Sequence, residues 1–214
     1  MVPELKLQDI AIGNTSVKLY MPQPKGIKEL YLKQKAGNEH TPFPYWAKLW
    51  PSALALSNFI LKHTSLLSNK VVLELAAGLG LPSLVAAQYA QRVCCSDYLP
   101  EAIAVINKSI AANNFSNVVA RLVDWNHIPD DLTPEVVLLS DINYDPQEFN
   151  TLQKVLVDFL HLGATILLSS PQRLMAKAFI ENLLPWCAFK EEITTTDNSV
   201  TTVISVFVLK NPGS

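Results

Sequence analysis

The sequence predicts an α/β fold: a doubly wound, mostly parallel sheet of about seven strands, closed by a C-terminal antiparallel hairpin. Three observations carry this reading. Between residues 71 and 184, short apolar runs alternate with longer amphipathic segments, as strands joined by crossover helices do. The runs are apolar throughout, the pattern of strands covered on both faces. The last two β-rich runs, 188–196 and 200–210, are separated only by Asp197-Asn198-Ser199, which reads as a hairpin.

The totals fit one sizeable unit. The chain has 214 residues, 49% of them hydrophobic and 17% charged, enough to fill a core. A net charge of −2 leaves no electrostatic footprint for nucleic acid, so no nucleic-acid partner is expected. The three cysteines, Cys94, Cys95 and Cys187, form neither a zinc spacing nor a disulfide framework and read as small core hydrophobes in a reducing compartment. His40, His63, His127 and His161 form no ligand spacing, so no metal is expected. The first residues lack a basic region followed by an apolar stretch, and no run approaches the ~18 apolar residues of a membrane span. The expectation is a cytoplasmic protein with no membrane partner; the oligomeric state stays open.

Taken in order, the chain opens with Ile10 to Ile12, Gly13-Asn14 and Ser16 to Tyr20, a hairpin ended by Pro22 and Pro24. Residues 27–35 read equally as strand or short helix. Residues 1–44 form a β-rich appendage whose stiff connector is Thr41-Pro-Phe-Pro44, and residues 45–214 form the main domain. An apolar stripe predicts a helix over 52–63. Strand 71–75 then leads to helix 82–91, strand 92–97 to helix 100–113, and strand 118–123 to a polar loop. Strand 135–140 leads to helix 146–161, whose C-terminal glycine is Gly163, and strand 164–169 to helix 172–184.

Chemistry gathers where the strands end, the edge at which open α/β sheets bind ligands. Lys70 to Pro82 reads as strand, glycine turn and helix, with Gly78 and Gly80 letting the backbone approach a ligand. The dinucleotide fingerprint requires glycine at 83, where Ser83 stands. Asp97 lies 97 − 74 = 23 positions after Glu74, at the end of the next strand, where a carboxylate accepts from ribose hydroxyls or caps the following helix. Asp124-Trp125 ends the third strand; an acidic group there can accept from an exocyclic amine, and an indole can pack on a purine. The fourth strand ends Ser140-Asp141-Ile-Asn-Tyr144-Asp145, with Asp145 read as the cap of the helix after Pro146.

The order Glu74-x-x-x-Gly78-x-Gly80, Asp97, Asp124-Trp125 and Asp141-x-x-Tyr144 resembles the seven-β-strand S-adenosylmethionine-dependent methyltransferases. The likeness covers about residues 42–170. It implies a Rossmann-like sheet and S-adenosylmethionine as cofactor. Asp141-x-x-Tyr144 resembles the protein-lysine branch. Tyr45-Trp-Ala-Lys-Leu-Trp-Pro51 looks most like the electron-transfer-flavoprotein β-subunit lysine methyltransferases.

The resemblance implies roles for these residues. Gly78 and Gly80 lie under the methionine end of the cofactor, and Glu74 holds the loop and reaches the amino group directly or through water. Asp97 binds ribose, and Asp124 faces the adenine amine beside Trp125. Ser140 joins the cofactor site, and Trp50 closes it or lines the substrate entrance. Asp141 and Tyr144 are the catalytic pair, acting on a lysine of a protein substrate. The family commonly has a glycine where Ala76 stands, so the loop is expected to keep a negative φ there. Three other readings stand beside this one: a small-molecule amine methyltransferase, a nicotinamide-dependent enzyme and a binding module without transfer.

Overall fold

The computed structural model describes every residue except 1, 2, 40, 42, 144, 198, 199 and 214. The N-terminal hairpin is β1 (Leu5–Ile12) and β2 (Thr15–Pro22), paired antiparallel in a sheet of their own. Residues 27–35, which the sequence left undecided, lie in helix α1 (Pro24–Gly37). Pro24 at its first turn loses no hydrogen bond there and presets φ for the helix.

The main sheet has seven strands. They are β3 (Val71–Glu74), β4 (Arg92–Asp97), β5 (Val118–Leu122), β6 (Val136–Ser140), β7 (Thr165–Pro171), β8 (Cys187–Asp197) and β9 (Val200–Leu209), in spatial order β5-β4-β3-β6-β7-β9-β8. The first five in space are parallel, and β9 joins β7 and β8 antiparallel. The order reverses direction between β3 and β6, which is where a doubly wound sheet opens a crevice at its carboxyl edge.

Period-two alternation sorts each strand between two layers. Val72, Val136, Leu138, Leu167, Val206 and Val208 face one cluster, with residues of α2 (Pro51–Lys62), α3 (Leu81–Ala86) and α4 (Pro100–Asn113). Leu73, Val137, Leu139, Ile166, Leu168, Phe207 and Leu209 face the other, with α5 (Phe149–His161) and α6 (Lys177–Leu183). The strands are unbroken apolar runs because both faces are covered.

Ile12, Val17 and Leu19 of the hairpin belong to the first of these clusters. Helix α4 clasps the hairpin's backbone: Tyr20 N donates to Ser109 Oγ at 2.9 Å and Lys18 N to Asn113 Oδ1 at 2.9 Å. Three helices are shorter than the apolar pattern predicts. α3 stops at Ala86, and α5 and α6 are each preceded by a single 3-10 turn, at Pro146–Glu148 and Leu174–Ala176. Among the described residues no helix is long and apolar enough to cross a membrane.

Candidate active site

The carboxyl ends of β3, β4, β5 and β6 surround a cavity of about 410 Å³. Of the residues singled out from the sequence, Trp50, Gly78, Gly80, Asp97, Asp124, Trp125, Ser140 and Asp141 all line it. Two do not enter this account. Tyr144 lies outside the described residues. Glu74 is fully buried behind the turn and is not among the residues lining the cavity.

The floor is the turn after β3. Leu75 N donates to Leu138 O and Ala77 N to Ser96 O, so the backbone stays tied to both neighbouring strands as it leaves the sheet. The chain then turns through three left-handed positions, Ala76 (φ 51°), Gly78 (φ 57°) and Gly80 (φ 76°). The expectation of a negative φ at 76 is thus overturned. The two strand ties fix the path on either side, and Ala76 absorbs the reversal at a cost of ~1–2 kcal/mol. A side chain at Gly80 would put Cβ 2.8 Å from Cys95 Sγ, so glycine there answers to packing beneath the floor as well as to φ. At Gly78 a Cβ would lie 3.2 Å from the carbonyl oxygen of Trp46, on the segment that lids this end.

Glu74 holds the turn from below. Its Oε2 accepts the Ser83 N–H at 2.9 Å, filling one of the donors left free in the first turn of α3. Complete burial pushes its carboxyl up from 4.5 to about 8, so the neutral form is held at pH 7.

Asp97 is 3% exposed and binds the turn from the side. Oδ2 accepts from Gly78 N at 2.9 Å and Oδ1 from Leu99 N at 3.0 Å. The second bond fixes the turn that leads into α4 but fills none of that helix's own N–H groups, and each oxygen keeps a lone pair for a further donor. Burial raises this carboxyl's pKa, opposed by the backbone donors. Asp124 is half exposed and accepts from both Asn126 N and Nδ2 at 2.9 Å, which lowers its pKa. Trp125 donates from Nε1 to Glu148 Oε2 at 3.1 Å, tying the end of β5 to the segment after β6. Asp145 accepts from Gln147 N at 3.0 Å, the capping role read for it.

The far side of the cavity is built by the end of β6. Asp141 N still donates to Ser169 O at 3.0 Å, then the chain leaves the sheet with Asp141 at φ 59°. Of the four non-glycine residues with positive φ among those described, three are asparagine or aspartate, types suited to that region; Ala76 is the exception, and it and Asp141 line this cavity. Behind Asp141, buried Asn143 accepts from Ser170 Oγ at 2.9 Å, pinning the loop to β7.

Trp50 holds its ring by donating Nε1 to Tyr45 O at 2.8 Å, with Lys48 Nζ 4.6 Å from the ring centroid. Lys48, Trp50 and Asp141 also line a second cavity of about 420 Å³, whose other walls include Arg173, Val200, Thr202 and Ile204. Arg173 Nη1 donates to Asp141 Oδ1. Sequence reading missed Arg173 and Asn143. Nothing local marks their partners; a lone basic residue just after a buried strand was the available signal for Arg173.

The charge of the first cavity decides what fits it. Asp97, Asp124, Asp141, Asp145 and Glu148 face Lys48, five carboxylates to one ammonium among the described residues. That lining repels a pyrophosphate and suits hydroxyls, amines and a positive centre. The absent glycine at 83 agrees. The nicotinamide reading therefore fits poorly, and S-adenosylmethionine, with ribose hydroxyls, an adenine amine and a cationic sulfur, fits the donor set.

The chain resembles known proteins in the same sense. The human histone-arginine methyltransferase METTL23 is 29% identical over 128 residues, which cover 57% of this chain and 67% of that protein. The human electron transfer flavoprotein beta subunit lysine methyltransferase is 27% identical over 132 residues, 61% of this chain and 50% of that protein. The chain spans about half to two thirds of the length of these relatives. The N-methyltransferase NodS from Bradyrhizobium japonicum, solved with S-adenosyl-L-homocysteine, superposes with a TM-score of 0.60 at 14% identity, covering 83% of this chain and 97% of that one. That likeness speaks for the fold. A profile described as lysine methyltransferase matches residues 28–186, about three quarters of the sequence. The chain belongs to the lysine methyltransferase family, a group of S-adenosylmethionine-dependent enzymes.

Proposed function

We propose that this protein methylates the side-chain nitrogen of a lysine in a protein substrate. The observation that carries the reading is the position of Asp141, the one acidic residue lining both cavities among the described residues. One cavity has the lining for the cofactor, and the other offers a separate approach to the same carboxylate.

When bound, S-adenosylmethionine supplies an electrophilic methyl on positively charged sulfur. The chain's residues bind and aim. Residues 76–80 present backbone to the methionine end, and Glu74 keeps them in place by holding α3. Asp97 has lone pairs left for ribose hydroxyls. Asp124 accepts from the adenine amine, and Trp125, fixed by Glu148, packs beside it. Trp50 stands between the two cavities with its ring held from both sides. Ser140 and Asp141 form the wall nearest the acceptor. Accepting that methyl would leave positive charge on the acceptor nitrogen, beside Asp141. A carboxylate at that nitrogen stabilises the developing charge. Tyr144 carries its catalytic role from the Asp-x-x-Tyr pattern.

A lysine acceptor must first be neutral, which costs roughly 4 kcal/mol near pH 7. Alignment in a closed cleft supplies much of the remaining acceleration. A second reading, an arginine acceptor, draws on the described activity of METTL23. Incubation of the protein with methyl-labelled cofactor and cell lysate, followed by mapping of the labelled residue, separates the readings. Label on lysine is expected. Label on arginine favours the second reading, and label only in the small-molecule filtrate overturns both.

A further inference from the structure

Asp141 does not face the acceptor cavity alone. Arg173, just after β7, holds its Oδ1 across 32 positions of sequence. The carboxylate side chain is 7% exposed and the guanidinium side chain 29%, so the pair is sheltered and weakly screened by salt. Both residues line the second cavity, while of the two only Asp141 reaches the first. Arg173 engages Oδ1 of Asp141, and Oδ2 takes no hydrogen bond from a described residue.

We propose that Arg173 is a charge-balancing, positioning residue for the acceptor. It offsets part of the charge of Asp141, so that Oδ2 receives an N–H from a neutral primary amine instead of retaining an ammonium or guanidinium ion, while enough negative charge remains to meet the charge that develops on nitrogen. This rests on the lysine reading above.

The reason is electrostatic. An uncompensated carboxylate beside a lysine raises the amine's pKa and holds the form that cannot react. Partly offsetting the carboxylate's charge lowers that penalty and leaves its hydrogen-bonding geometry intact. An arginine acceptor stays cationic through the same pH range and needs an uncompensated negative partner, which the pair no longer offers. The device therefore selects lysine. Other charged or titratable groups face this part of the molecule from each neighbouring segment. They are Tyr45 and Lys48 before α2, Asp145 and Glu148 after β6, and Asp97, Tyr98 and Asp124 at the ends of β4 and β5. From α2 and β9 the second cavity receives only Pro51, Ser52, Val200, Thr202 and Ile204 among the described residues, none of them charged.

The test compares Arg173→Met and Arg173→Lys in the full chain. The acceptor is a peptide carrying the lysine labelled in the lysate experiment. For Arg173→Met, the acceptor KM should fall and kcat at pH 7 should drop about tenfold, while the acid limb of the kcat profile moves up by about one pH unit. Turnover should then recover near pH 9, and Arg173→Lys should retain the parent profile. Unchanged affinity for S-adenosylhomocysteine in calorimetry shows that the variants are folded. A kcat lowered equally at every pH, with the limb unmoved, overturns the proposal, as does an Arg173→Lys profile matching that of Arg173→Met. The lysine reading fails separately if no lysine is ever labelled, and the proposal falls with it.

Discussion

The wall proposed for the cofactor is built on the turn at residues 75–81 and the ends of β4 and β5, whereas the wall proposed for the acceptor draws on four segments between residues 48 and 204. The first is held by backbone: Gly78 N to Asp97, Ser83 N to Glu74, Ala77 N to Ser96. The second is held by side chains: Arg173 to Asp141, Ser170 to Asn143, and Trp50 to the Tyr45 carbonyl. A wall made of backbone donors can hold the invariant parts of a cofactor with little regard to side-chain identity. A wall made of side-chain pairs can be retuned for a different acceptor without disturbing the sheet. The contrast predicts that damage on one side leaves the other working.

The sharpest way to break the contrast is at Asp141. Replacing it with alanine should lower kcat by about 10²-fold or more, because the group stabilising charge at the acceptor is lost. Affinity for S-adenosylhomocysteine should stay within about threefold, since Asp141 lines the first cavity but takes part in none of the bonds that hold its floor. Equal losses in steady-state kinetics and calorimetry would mean that the walls are not separable.

Glu74 tests the cofactor wall through pH. Its folded pKa of about 8 lies above the ordinary 4.5, so the folded chain keeps a proton that the unfolded chain releases between those values. Stability from this group is complete below about pH 4.5, declines as pH rises, and levels off above about pH 8, a change of a few kcal/mol. Glu74→Gln keeps an acceptor for Ser83 N and removes the titration. Urea midpoints measured from pH 5 to pH 9 should therefore fall less steeply in the variant than in the parent.

Asp97→Ala should weaken cofactor binding at least tenfold, about 1.4 kcal/mol, by removing the ribose acceptor and releasing Gly78 N and Leu99 N. Unchanged affinity in calorimetry would remove Asp97 from the ribose site. The smallest effect is expected at Ala76. Glycine there relieves the left-handed strain and adds some unfolded-state entropy, for a net gain of about 0.5–1 kcal/mol. A variant melting no higher than the parent would mean that φ 51° carries no strain worth relieving.

The cofactor wall was largely legible in the sequence because its constraints are local. A glycine turn after a buried strand, a carboxylate ending the next strand and a helix start within a few residues all leave marks at fixed spacing. Strand 92–97 and helix 100–113 were readable to the residue for the same reason: apolar periodicity and Pro100 set both bounds. Residues 27–35 were not readable, since their weak pattern suits strand or helix and contact with the hairpin and main core decides. The φ at Ala76 was misjudged because the ties to Leu138 and Ser96 that force the turn come from other strands.

By itself the sequence determined the layer architecture, the edge of the sheet that carries the chemistry and three of the five carboxylates that line the first cavity, Asp97, Asp124 and Asp141. These follow from patterns of two, three or four residues, which hydrophobic burial and backbone geometry read directly. Only the tertiary structure decided that Glu74 stays behind the floor, that the N-terminal hairpin shares the main core, and that Asp141 is met by Arg173. Each of these depends on which distant segments the parallel crossovers bring together, and a side-chain contact across 32 residues leaves no periodic trace in the chain.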